Sequence, residues 1–224
     1  MFKKRSTKKE LLDLDVGKED LILNLKELHI INRYLGGYAI SINALSQLNL
    51  NNPTILDLGS GGGDTLNAIH KWLKKKNITG NLIGIDLKSD CVSYANSHLN
   101  NNLRFIRDDY RNYADHVQNV DVLHASLFTH HLSNEEIIGL IKFARKNNTI
   151  LIINDLERNP LAYYSIKILT HLFSKSHLVK NDAPLSVLRG FKKKEWQSLL
   201  QKAGSKQYIL KWKWAFRHQI IIYG

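Results

Sequence analysis

The sequence predicts a parallel α/β protein, a central sheet with helices on both faces, and three observations carry that expectation. Short apolar runs alternate with amphipathic stretches between residues 54 and 154. The runs are apolar throughout rather than at every second position, as a strand buried on both faces requires. A cluster of glycines in "LDLGSGGGDT" (56–65) separates the first run from the first amphipathic stretch, and this strand–helix alternation is the mark of a βαβ chain. At 224 residues the chain can bury one full hydrophobic core.

Residues 1–20 read as a charged, partly frayed arm. From 21 to 50 apolar residues recur at helical spacing, broken by Gly36 and Gly37, which predicts two helices with a glycine joint. Arm and helices form a unit over 1–50, and Pro53 punctuates the start of the main domain, 51–224. There "TILDL" (54–58) predicts a strand and Asp64–Lys76 a helix, "NLIGID" (81–86) a strand and Cys91–Leu99 a helix. "LRFI" (103–106) predicts a third strand, "VDVLHAS" (120–126) a fourth followed by a helix over Asn134–Lys146, and "TILIIN" (149–154) a fifth. Residues 157–190 break the rhythm and predict a helical lid, with a further helix around Trp196–Lys202. The two strand-like runs of "QYILKWKWAFRHQIIIYG" predict a closing hairpin.

Hydrophobic content of 43% and charged content of 23% are those of an ordinary soluble domain. Cys91 is the single cysteine, which excludes an internal disulfide and a thiolate zinc site and fits a reducing compartment. No compact group of carboxylates or histidines stands out, so no metal is expected. The basic N-terminal stretch lacks an apolar core of signal-peptide type, and no run reaches the roughly 18 apolar residues of a membrane span, so a cytoplasmic protein is expected. A net charge of +12 could attract nucleic acid or anionic lipid. The lysines are scattered, however, over 3–9, 74–76, 192–194 and 211–213, and a solvated basic surface is the plainer reading.

A strand, a glycine turn and a helix N-terminus present free backbone N–H groups and the positive end of a helix dipole. The phosphate-loop pattern GxxxxGK[ST] is absent, and GxGxxG fails because Asp64 stands where its last glycine belongs. The pattern present is DxGxGxG: Asp57, Gly59, Gly61 and Gly63. Asp86 ends the next predicted strand, where an acid can accept the hydroxyl protons of a ribose. Asp109, in "FIRDDY" after the third strand, can accept from an adenine amino group, with the Tyr110 backbone at the ring edge.

Together these residues closely resemble the class I S-adenosylmethionine-dependent methyltransferases, over about 54–155 and, by topology, the C-terminal strands. The resemblance implies a Rossmann-like, seven-stranded, mostly parallel sheet with an N-terminal helical arm and a helical lid. It implies S-adenosylmethionine as cofactor and S-adenosylhomocysteine as product. Gly59, Ser60, Gly61 and Gly63 would lie under the amino-acid part of the cofactor, with Asp57 orienting that loop and Ser126 nearby. Asp86 would bind the ribose, Leu87 pack on the adenine, Asp109 bind its amino group and Tyr110 address its edge. Tyr163 and Lys167 spell the YxxxK pair of short-chain dehydrogenases, but the TGxxxGxG turn of those enzymes is missing.

Methyl transfer is an in-line displacement in which the enzyme positions and desolvates the nucleophile and sometimes takes its proton. After the fourth strand stands "HASLFTHHLSNEE", without the [DNS]PP[YFW] motif of amino-methylating enzymes. Cys91 lies on the wrong helix for cytosine C5 methylation. His130-His131-Leu132 resembles the "HHL" of small-molecule methyltransferases of the quinone and polyketide type, and "DAPLSVLRGF" the lid of those from bacterial aromatic-polyketide or pigment pathways. His131 is the expected base, with His130 beside it and Asp155 orienting a histidine or binding a hydroxyl. Arg189 and Tyr163 are expected to touch substrate, and Arg33, beside the glycine joint, to clamp the cofactor carboxylate or an acidic substrate. The plainer alternatives are a loop histidine that only shapes the pocket, an Asp155 that caps the next helix, and lid aromatics that form a helix core. The expected reaction is methylation of a small aromatic or polyketide-like metabolite, on oxygen or on carbon. Its rivals are an RNA methyltransferase using the basic surface, which steep salt dependence would reveal, and a non-catalytic S-adenosylmethionine-binding protein.

Overall fold

A computed structural model describes residues 2–99 and 102–224, so Met1 of the expected arm lies outside the described residues. The apolar runs become strands β1 (Thr54–Leu58), β2 (Asn81–Asp86), β3 (Leu103–Arg107), β4 (Val122–Ser126) and β5 (Ile150–Leu156), and the hairpin supplies β6 (Tyr208–Lys213) and β7 (Arg217–Ile222). They form one sheet in the order β3-β2-β1-β4-β5-β7-β6. The first five in that order are mutually parallel, and β7 runs antiparallel to both β5 and β6. The helices are α1 (Lys18–Tyr34), α2 (Gly37–Leu45), α3 (Asp64–Lys75), α4 (Ser89–His98), α5 (Asn134–Lys146), α6 (Pro160–Phe173), α7 (His177–Arg189) and α8 (Lys193–Lys202).

Both faces of the sheet are covered because successive side chains point to opposite sides. Leu56, Leu58, Ile83, Leu123 and Ile153 pack against Ile137 and Ile141 of α5 and Trp196 and Leu200 of α8. Ile55, Leu82, Val122 and Ile152 pack against α2, α3 and α4 through Leu45, Leu66, Ile69 and Ala95. β7 is buried along its whole length while β6 is a half-exposed edge. The polar start of β7 is therefore forced inward. The Gln219 amide donates to Ile40 O at 2.7 Å, and His218 bonds to Phe191 O at 3.1 Å.

The N-terminal arm is not frayed. The Arg5 guanidinium lies 3.9 Å over the Phe191 ring and donates to the carbonyls of His130, Leu132 and Arg189, and Glu10 is 3% exposed. Its charged groups look solvated in the sequence but find fixed partners on the main domain. α6 and α7 pack on each other, and α7 packs on α1. Glu27 of α1 accepts from the backbone N–H of Lys175 and Ser176 and from the Ser174 hydroxyl in the turn between the lid helices. Among the described residues no helix is long and apolar enough to cross a membrane. Cys91 is free and buried, its thiol pushed up to about 12 by desolvation.

Candidate active site

β1 lies between β2 and β4, the point where connections leave to opposite sides and a crevice opens at the strands' carboxyl ends. The loop after β1 carries Gly59 with φ +64° and Gly61 with φ +52°, left-handed conformations that glycine adopts without cost. A Cβ on Gly59 would sit 2.2 Å from Phe128 Cδ2, whereas one on Gly61 would meet nothing nearer than 4.0 Å. The chain itself thus requires Gly59, while Gly61 leaves room beside the loop. Gly63 ends the loop as the N-cap of α3.

The Asp86 carboxylate accepts from Gly61 N–H at 2.8 Å and Lys88 N–H at 2.9 Å. Burial nevertheless pushes this carboxyl above its ordinary range. Leu87 beside it is 68% exposed. The Ser60 hydroxyl is buried and has no hydrogen-bond partner. The Asp109 carboxylate accepts from the backbone N–H and guanidinium of Arg111, which hold it below the usual range. The Tyr110 ring stands edge-on to Phe128 at 5.2 Å.

Asp57 faces inward. It accepts from His124 Nδ1 at 2.7 Å, and His124 Nε2 bonds to the Ser41 hydroxyl at 2.9 Å. Asn154 donates to that hydroxyl and to Gly37 O. This buried relay joins β1, β4, β5 and α2 beneath the glycine loop, so Asp57 supports the loop from below.

Beside the crevice a cavity of about 390 Å³ is walled by α1, α6, α7, the ends of β4 and β5 and the β6–β7 turn. Its walls are mostly apolar, with Leu28, Ile31, Ile166, Leu169 and Trp214 among them. Leu127 enters it from a left-handed backbone, φ +53°, a conformation costly for a branched residue. The adjoining Phe128 is the ring that covers Gly59. The next turn, Thr129–His131, is fixed from behind by Ser133, whose hydroxyl and backbone N–H make a reciprocal capping box with Glu136 at the start of α5.

The polar end of the cavity consists of Glu10, His130 and His131. His130 Nδ1 lies 2.7 Å from Asp155 Oδ1, and Asp155 also accepts from the His130 and Leu156 N–H groups and the Thr129 hydroxyl. Burial alone would raise the Asp155 carboxyl, but His130 and these donors hold it well below the usual range. His131 Nδ1 is 3.1 Å from Asp13. The two Nε2 atoms face Glu10 at 3.7 and 3.9 Å, and Ser186 donates to Glu10 at 2.8 Å. Burial raises the Glu10 carboxyl from 4.5 to about 7, against the pull of His131, Ser186 and Arg189.

These three residues have ligand atoms within 4.8 Å of one another, and a carboxylate behind each imidazole is the support that metal-bound histidines have. The absence of a compact histidine or carboxylate cluster, expected from the sequence, is therefore corrected. Glu10 arrives from the distant arm, which spacing along the chain could not reveal.

Three further side chains lie away from the cavity surface. The Arg189 guanidinium donates to Asp13 at 2.8 Å and to the carbonyls of Lys8, His130 and His131, bracing the histidine turn from outside the cavity lining. Tyr163 packs edge-on against Phe2 at 5.7 Å, with Lys167 Nζ 5.8 Å from its ring, and neither residue lines the cavity. Arg33 is exposed on α1. The guanidinium at the glycine joint belongs to Arg217, which donates to Asn32 Oδ1 at 2.8 Å and lies 3.3 Å from where a Cβ on Gly37 would be. Glu10, Asp13, His124 and Arg217 went unnoticed in the sequence. Only Arg217 carried a usable signal, a cation opening a strand whose second half, Ile220–Ile222, is wholly apolar.

A family model described as a methyltransferase domain matches residues 50–204. No curated protein matches the chain in sequence. Among solved structures, the plantazolicin methyltransferase BpumL, in complex with a monoazolic desmethylPZN analog and SAH, aligns with a TM-score of 0.66 at 18% identity over 90% of this chain and 87% of its own. The plantazolicin methyltransferase BamL aligns at 0.64 and 15% identity, over 92% of this chain and 97% of its own. Human N-acetylserotonin methyltransferase, in complex with SAM, aligns at 0.62 and 16% identity over 92% of this chain and 56% of its own. At such identities these structures speak for the shared fold.

Proposed function

The chain belongs to the methyltransferase-domain family, and from that premise we propose that it transfers a methyl group from S-adenosylmethionine to an oxygen of a small, apolar, aromatic acceptor, with His130 as base. The observation that carries this reading is the apolar cavity whose polar end is the Asp155-held His130.

The cofactor, when bound, supplies an electrophilic methyl group on a sulfonium. The residues at the crevice suit it: Gly61 leaves space beside the loop, Asp86 offers a buried carboxylate for hydroxyls, Ser60 has an unmet hydroxyl, and Leu87 presents an exposed apolar face. Structures of other methyltransferases with SAM or SAH bound support the assignment by fold.

On the acceptor side the apolar walls exclude water and orient the acceptor oxygen. Because Asp155 is held ionised, the His130 Nδ1–H donates to it. The Nε2 lone pair is then free on the cavity side to take the acceptor's proton. Asp155 fixes the ring and its tautomer, and Leu127 and Phe128 set the turn between the two sites.

The test has two parts. S-adenosylhomocysteine at a hundred times its dissociation constant should stabilise the protein by about 2.7 kcal/mol, seen as a rise in melting temperature that NADH does not give and Asp86→Ala loses. With S-adenosylmethionine and a panel of phenols, His130→Gln should lower turnover roughly 10²–10⁴-fold while leaving S-adenosylhomocysteine binding intact. No stabilisation by S-adenosylhomocysteine refutes the cofactor, and undiminished turnover in His130→Gln refutes the base.

A further inference from the structure

Among the described residues three arginines are buried: Arg158, Arg189 and Arg217. Arg158 pairs with Glu195 at 2.6 Å and Arg189 with Asp13 at 2.8 Å. Arg217, 2% exposed, has no carboxylate within 4.0 Å among the described residues. Among the described residues the guanidinium's one hydrogen bond goes to the neutral Asn32, and its Nε and Nη1 have no partner. Asp155, whose charge acts on it from a distance, is already committed to His130.

Burying a cation without a counter-charge is costly, and native structures rarely keep such a group without a use for it. Burial has pulled the guanidinium down to about 10, against the opposing pull of Asp155. Arg217 lines the same cavity as His130 and Glu10, beside Leu156, Trp214 and Phe216. None of the glycine loop, Asp86 or Asp109 lines it, so the missing anion belongs to the cavity's occupant rather than to the cofactor.

We propose that Arg217 binds a carboxylate on the methyl acceptor, so that the acceptor is a small apolar acid. The inference rests on the reading of this cavity as the acceptor site. The acid's carboxylate completes the buried ion pair at Arg217, in a water-poor setting where charge-assisted bonds are strong. The apolar body fills the space along α1 and α6, and the oxygen to be methylated lies toward His130.

The test pairs benzoic, cinnamic, 4-hydroxycinnamic and octanoic acids with their amides, measuring melting temperature and then affinity in the presence of S-adenosylhomocysteine. At least one acid should bind the wild type about tenfold or more tighter than its amide, since a buried charge lost from its partner is costly. Arg217→Met should abolish that preference and leave the affinity for S-adenosylhomocysteine unchanged. Arg217→Lys, keeping the charge but not the planar donor set, should retain part of it. Acids that never outbind their amides overturn the proposal. So does an Arg217→Met variant that binds S-adenosylhomocysteine normally yet still prefers acids, or one that loses S-adenosylhomocysteine instead, which would hand Arg217 to the cofactor. Failure of the wild type to bind S-adenosylhomocysteine at all would strike the methyltransferase reading, and the acid–amide comparison without it still decides the role of Arg217.

Discussion

Replacing Glu10 by glutamine should make this protein more stable at neutral pH and leave it unchanged in acid. The carboxyl is buried against two imidazoles and is raised from 4.5 to about 7. An acid whose folded value lies above its unfolded one holds its proton more tightly when folded. Below about pH 4.5 both states are protonated and the group is neutral in its effect. Between pH 4.5 and 7 the unfolded chain alone releases the proton, and stability falls; above 7 the penalty is complete. At about 1.4 kcal/mol per pH unit that penalty is about 3 kcal/mol. Glutamine resembles the protonated acid, can still accept from Ser186, and carries no charge. For a chain of this size each kcal/mol is worth roughly 2–4 °C, so Glu10→Gln should melt several degrees above wild type at pH 8 and together with it at pH 4. Thermal melts of both proteins across that range are the assay. A gap that is constant with pH, or a variant that melts lower at pH 8, refutes the buried-carboxyl argument.

Other consequences follow from the same geometry. Gly59→Ala meets both a left-handed backbone and the Phe128 ring, so it should lose roughly 1–3 kcal/mol and weaken S-adenosylhomocysteine binding; calorimetry of a folded, normally binding variant would contradict this. Asp155 has the opposite sign to Glu10, since its value is depressed. The stability it contributes is present above its unfolded value near 4 and fades as pH falls below that. Asp155→Asn should therefore cost about 3–5 kcal/mol at pH 7 and progressively less as pH falls from about 4 towards the depressed folded value, as urea melts would show. Prolonged dialysis against EDTA should leave turnover unchanged. Loss of turnover restored by a divalent ion would make Glu10, His130 and His131 a metal centre and displace His130 as base.

The sheet was legible because its strands are apolar on both faces, and the glycine loop because few sequences place Gly59, Gly61 and Gly63 between a strand and a helix. What stayed hidden depends on pairing at a distance. Glu10 sits among lysines in a stretch without apolar period, and only the docked arm shows that it is buried. His124 lies inside "VDVLHAS", where a histidine in a core strand gives no hint that Asp57 turns inward to meet it. Arg33 stands close to Gly36 and Gly37 in the sequence, but the helix turns it outward and a strand remote in sequence fills that corner with Arg217. Neighbours along the chain were readable; neighbours across the cavity were not.

The cavity draws Glu10 from the arm and Arg217 from β7, and between them lies nearly every other element of the fold. Closing so long a stretch is slow and comes after local structure has formed. The cavity is thus among the last features to form as the protein folds and among the first to open as it loosens. Separation of the arm from the body would open the pocket while the two hydrophobic layers of the sheet, which take no residue from the arm, stay packed. Occupancy of the cavity then acts as a clasp on the molecule's perimeter, and protease resistance of the arm should report it more sensitively than any probe of the core.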